Sequence, residues 1–130
     1  MMNRENIPDD VKRFILVSIA SVPHLEAILL LRKEKTRDWN SSQLAERLYV
    51  SEKTAGDLLS ELHAAGILGK DEVSSPCYRY QPQSQDLVQM IDRLADIYAR
   101  NLVEVTHLIH SKTSKNAQRF ADAFIWRKDP

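Results

Sequence analysis

The sequence predicts a mainly α-helical fold with one small β-hairpin. Apolar residues recur at three- and four-residue spacing through successive segments from residue 11 to residue 125. Only one stretch, residues 69–80, breaks that period into short β-type runs around a Ser-Pro turn. Capping residues punctuate the helical segments, Asn40 with Gln43 and Ser51 at two helix starts and Gly66 at a helix end.

Taken in order, Pro8 suits a first helical turn, and Asp9 and Asp10 complement the positive end of a helix dipole. Val11, Phe14, Ile15 and Ile19 give that helix one apolar face. Small, polar Ser18 interrupts it, and Leu16 and Val17 lie off the stripe and widen what has to be covered. Ser21-Val22-Pro23 interrupts, because a proline disfavours helix in the residue before it. A second helix is predicted over 23–35 with Leu25, Ile28, Leu29 and Leu31 as its apolar positions. Asn40 then offers an N-cap and Gln43 the reciprocal half of a capping box for a short helix that buries Leu44, Ala45 and Leu48. Ser51 caps a fourth helix, with Ala55, Leu58, Leu59 and Leu62 on one face and Gly66 as its stop. Lys70 to Val73 and Cys77 to Tyr80 form the hairpin around Ser74-Ser75-Pro76, and Tyr78 and Tyr80 share a face toward the helices. One long helix is expected from Ser84 to about His110. A last amphipathic one follows, with Ala117, Phe120, Ala121, Phe124 and Ile125 on its apolar side.

Composition bounds the function. Apolar residues at 43% and charged residues at 28% are ordinary for a folded soluble chain. No apolar run approaches the length that spans a bilayer, and the polar N-terminus lacks a signal core, so a cytoplasmic protein is expected. A single cysteine, Cys77, excludes an internal disulfide and a cysteine-rich zinc site, and it reads as a small, half-buried strand residue. Three glycines leave no room for a phosphate-cradling loop, so no nucleotide cofactor is expected. Eighteen basic residues balance eighteen acidic ones. The balance is uneven along the chain: +1 over 23–39, −2 over 40–82 and +3 over 112–130.

Helix, short helix, tight turn at Tyr49-Val50-Ser51, longer helix and hairpin follow one another in the order of a winged helix-turn-helix. The string Ser42-Gln43-Leu44-Ala45-Glu46-Arg47-Leu48-Tyr49-Val50-Ser51-Glu52-Lys53-Thr54-Ala55 resembles that superfamily, as does the exit Ala64-Ala65-Gly66-Ile67-Leu68. The likeness covers residues 23–82, with 1–22 as an N-terminal helical extension and 84–130 as a C-terminal helical region and tail. It implies a bacterial transcription-regulator-like protein that binds double-stranded DNA as a homodimer, its helix 52–65 in the major groove. Carried onto this chain, the outward positions of that helix are Glu52, Lys53, Thr54, Gly56, Asp57 and Ser60. The DNA contacts so implied are Lys53, Thr54 and Ser60 there, Lys70 and Arg79 on the hairpin, and Arg47 in support. Glu52 and Asp57 depart from the pattern by facing a polyanion. The acidic balance of 40–82 therefore keeps open a second reading, a protein-interaction module without DNA binding.

Leu87, Ile91, Leu94, Tyr98, Asn101, Val105 and Leu108 alternate at four- and three-residue spacing, a heptad seam read as the dimerisation surface with Asn101 fixing register. The competing use of that stripe is to cover the N-terminal helix. His107 and His110, with Glu104 a turn earlier, have a metal-compatible spacing but no third strong ligand, and are read as solvated; no metal site is expected. No nucleophile elbow is present, and an enzyme is not expected. The tail reads as a clasp that folds over its own core or onto a second subunit.

Overall fold

A computed structural model describes residues 7–71 and 76–111. Glu72 and Val73 of the expected hairpin, its expected turn at Ser74-Ser75 and the helix expected within 114–130 lie outside the described residues. Helix α1 is Asp9–Ser18, α2 Val22–Lys33, α3 Ser41–Leu48, α4 Glu52–Ala64 and α5 Gln85–Arg100; strands β1 Leu68–Asp71 and β2 Cys77–Tyr80 lie between α4 and α5. Residues 102–111 are helical again. The chain is thus mainly helical with one antiparallel hairpin, in the order of a winged helix.

Local chemistry sets most boundaries. Pro8 occupies the N-cap of α1 rather than its first turn. Ser21, expected only as an interruption, caps α2 by accepting from the His24 backbone N–H at 3.4 Å. The capping box of α3 is complete: Asn40 Oδ1 accepts from the Gln43 N–H at 2.8 Å, and Gln43 Oε1 from the Asn40 N–H at 3.0 Å. Tyr49 then turns the chain in the left-handed region (φ 59°, ψ 47°), which lets Ser51 cap α4 by accepting from the Thr54 N–H at 3.0 Å. Gly66 takes φ +83° at the exit of α4, as a side chain rarely does.

One core joins these elements. Val11, Ile15 and Ile19 of the N-terminal segment, Leu25, Ile28 and Leu31 of α2, Leu44 of α3, and Leu58, Leu59 and Leu62 of α4 are all buried. Ile91, Leu94 and Ile97 of α5 are buried too, and Val105 and Ile109 close the core from the last helical stretch. Leu16 and Val17, expected to need cover, are instead exposed, Val17 at 76%.

The sequence did not single out Trp39. Its N–H donates to the Tyr78 carbonyl and its carbonyl accepts from the Tyr78 N–H, both at 2.7 Å, which adds a one-residue third strand beside the hairpin. The indole is fully buried. The hairpin register is Leu68 to Tyr80, Gly69 to Arg79, Lys70 to Tyr78 and Asp71 to Cys77. That register buries Tyr78 and leaves Lys70 and Arg79 exposed.

The expected single helix from Ser84 to about His110 is corrected. It breaks at Asn101 (φ −134°, ψ 50°), whose side-chain amide donates to the Ile97 carbonyl at 3.2 Å and so competes with the helical ladder. The heptad stripe therefore does not run along one straight helix. Ile91, Leu94 and Val105 are fully buried within the protomer, and Leu87, Tyr98, Asn101 and Leu108 are half-buried.

Candidate nucleic-acid interface

The outer flank of α4 is open. Glu52, Lys53, Thr54, Asp57 and Ser60 are exposed, while Ala55, Leu58, Leu59 and Leu62 hold the opposite flank in the core. Gly56, expected outward, is half-buried: a Cβ there would stand 3.1 Å from Ser41 Oγ, so this glycine lets α4 meet the start of α3 closely. His24 braces α4 from behind. Its Nε2 lies 2.6 Å from a Glu61 carboxylate oxygen and its Nδ1 2.7 Å from Ser21 Oγ, tying α2 to α4.

The six residues assigned to DNA fall on three patches, and the cations among them carry partners. Lys53 Nζ is 3.1 Å from Asp57 Oδ2, and its side chain is 86% exposed. Arg79 donates from Nε (2.9 Å) and its terminal nitrogen (2.8 Å) to the same Asp38 oxygen. Arg47 donates to Glu34 at 2.8 Å. Lys70 Nζ sits 5.8 Å from the Tyr78 ring centre. The Thr54 hydroxyl accepts from Ser51 at 3.0 Å, and Ser60 is exposed. Lys53, Thr54 and Ser60 share α4, Lys70 and Arg79 share the hairpin, and Arg47 lies on α3.

Arg47 belongs to a cluster that spacing did not reveal. The Glu34 carboxylate accepts from both Arg47 and Arg37 (3.1 Å), and the two guanidinium groups lie 5.3 and 4.0 Å from the Trp39 ring centre. The Arg47 hydrogen bond, with Arg37 adding to it, holds the Glu34 carboxyl below the usual carboxylate range despite the opposing effect of desolvation. The sequence signal was a tryptophan set among Arg37, Asp38 and Arg47. Its partners became visible only when α3 folded back over the loop.

These parts define a winged helix-turn-helix: a capped turn, an open second helix and a hairpin beside it. No family model matches the chain, and no curated protein matches it in sequence. Among solved structures it is similar to the adhesin competence repressor AdcR from Streptococcus pyogenes, at 16% identity over 89% of this chain and 93% of that one, with a TM-score of 0.43. That overlap is too loose to carry function, and the class rests on the element order and turn geometry above. Among the described residues no single helix is long and apolar enough to cross a membrane; α1 and α2 meet at 108° and give Val11, Ile15, Leu25, Ile28 and Leu31 to the core. The described residues also hold no group of three His, Cys, Asp or Glu placed to bind a metal ion.

Proposed function

We propose that this protein is a cytoplasmic transcriptional regulator that binds double-stranded DNA as a homodimer, with α4 entering the major groove and the hairpin against the flanking backbone. The observation that carries the reading is the open outer flank of α4, with Lys70 and Arg79 exposed on the adjoining hairpin. Lys53, Thr54 and Ser60 are the groove contacts, and Arg47 supports them. The second subunit meets the C-terminal helical region. There Leu102 and Val103 are exposed, whereas much of the heptad stripe is already used inside the protomer.

Binding is weak and strongly salt-dependent, because each phosphate contact releases counterions and Arg47, Lys53 and Arg79 must first leave a carboxylate. Three to four phosphate contacts per protomer, six to eight for the dimer, give a slope of about −5 to −7 in log affinity against log salt. Fluorescence anisotropy with random genomic duplex at low salt tests this. Saturable binding that weakens with salt is expected; no binding at tens of micromolar protein, on the order of the tighter non-specific affinities, refutes it.

A second reading follows from the same ion pairs. With Lys53, Arg79 and Arg47 held by Asp57, Asp38 and Glu34, the face suits a protein partner whose basic surface docks on the acidic residues of α4, Glu52, Asp57 and Glu61. Recovery of a stoichiometric protein partner free of nucleic acid would favour it.

A further inference from the structure

Tyr49 stands where a side chain of its size is disfavoured. Its backbone is left-handed (φ 59°, ψ 47°), and among the described residues it is the one residue other than glycine with a positive φ. Glycine or asparagine takes that position at a helix end without steric cost, whereas a bulky residue there is a rare outlier. The turn itself is needed. The Ala45 carbonyl accepts from the Tyr49 and Val50 N–H groups, which closes α3 and sets Ser51 to cap α4. The ring does not offset the cost by packing: it is 93% exposed, and its hydroxyl has no partner among the described residues. Backbone strain held by a side chain that barely touches the fold points to function rather than to folding.

We infer that Tyr49 is a DNA-backbone contact, its phenol hydroxyl donating to a phosphate oxygen at the edge of the groove that α4 enters. The inference rests on the DNA reading above and adds to it an uncharged contact. Tyr49 precedes Glu52, the first residue of α4, by three positions, at most about 11 Å of chain. A major groove is about 12 Å wide, so with the start of α4 inside it the turn residue reaches the strand that borders it. Neutral donors, tyrosine among them, commonly contact phosphates and fix a protein's register on the duplex. Here the neutral donor has an advantage over its neighbours. Arg47 must leave Glu34, and Lys53 must leave Asp57, before either meets a phosphate, whereas the Tyr49 hydroxyl has no ion pair to break. An exposed tyrosine also suits a protein interface, but anchors of that kind sit in an apolar surround that excludes water. The exposed chain neighbours of Tyr49 are Glu46, Arg47, Ser51, Glu52 and Lys53, all polar and with no net charge between them. Such a surround fits the wet surface of a duplex better.

Fluorescence anisotropy with random duplex across a salt series compares the full chain with Tyr49→Phe and Tyr49→Gly, and urea unfolding is followed in parallel. Tyr49→Phe keeps the ring and the backbone and deletes only the donor. One hydroxyl contact is worth about 2- to 12-fold, so a dimer that uses both loses at least about 5-fold in affinity. The salt slope stays that of the parent chain, because a neutral donor neutralises no phosphate charge. Tyr49→Gly weakens binding at least as much while its urea midpoint is no lower, since glycine suits the left-handed turn. Undiminished binding by Tyr49→Phe overturns the inference and leaves the DNA reading standing. A shallower slope in Tyr49→Phe, or a lower midpoint in Tyr49→Gly, also overturns it, by assigning the side chain to the cations or to the fold. If the parent chain itself binds no duplex, the DNA reading falls, this inference falls with it, and Tyr49 passes to the protein-partner reading.

Discussion

Neutralising the acids that hold the interface cations should strengthen DNA binding, and the structure sets the size of the effect. Asp57 engages Lys53 at 3.1 Å and Asp38 engages Arg79 at 2.8 Å, with all four side chains 47% exposed or more. Exposed pairs of this kind contribute roughly 0.2–1 kcal/mol each. That energy is spent when the cation moves to a phosphate, and the abandoned carboxylate then stands beside the polyanion. Asp38→Asn with Asp57→Asn removes both penalties. About 0.4–2 kcal/mol is gained, a tightening of about 2- to 30-fold. Anisotropy titrations across a salt series measure it, and the gain should be largest at low salt because screening weakens both terms. Unchanged or weaker binding by the double variant, with fold intact by circular dichroism, would mean that these cations do not meet phosphate. The protein-partner reading would then stand in place of the DNA reading.

Other expectations concern the frame that holds this face. Trp39→Ala should cost about 3–5 kcal/mol in urea unfolding, since a fully buried indole is lost together with its stack on Arg37 and Arg47. Trp39→Phe should cost less, because it also removes an indole N–H that has no acceptor. Gly66→Ala should cost about 1–2 kcal/mol through its φ of +83°, and more if Gln83, 2.5 Å from the added Cβ, cannot move. Burial, with the nearby Asp92 charge adding to it, pushes the Tyr80 phenol up to about 12. A raised folded-state pKa stabilises the fold below the unfolded value near 10 and loses that contribution as pH rises toward 12. Tyr80→Phe should therefore flatten the alkaline limb of the stability curve between pH 10 and 12. At pH 7 it should cost little, because the hydroxyl it deletes is without a partner.

Much of the architecture was legible because it is locally encoded. The Asn40–Gln43 capping box, the Ser51 cap and Gly66 act within four residues of chain, and each does in the structure what its chemistry predicts. The single long C-terminal helix was misread for the opposite reason. Leu94, Tyr98, Asn101 and Val105 keep helical spacing across a break, and spacing cannot show that the Asn101 amide will cap a carbonyl of its own helix. The superfamily resemblance sets Gly56 outward, and only the approach of Ser41 shows otherwise. For the candidate interface, the sequence placed Lys53, Thr54, Ser60, Lys70 and Arg79 on exposed positions and set Lys53 one turn from Asp57, but carried no sign of the carboxylates that hold Arg47 and Arg79. Arg79 and Asp38 stand 41 residues apart, and Arg47 and Glu34 13.

What the residues alone determined was where α3 and α4 begin, the leucines they bury and the order that makes a winged helix-turn-helix, since caps and periodicity act over one or two turns. The tertiary structure decided how charge is spent on the outer face and how Trp39 becomes a third strand against Tyr78. Those outcomes depend on side chains brought together from distant parts of the chain. Pair distances of about 3 Å set their strength, and no local pattern encodes those distances.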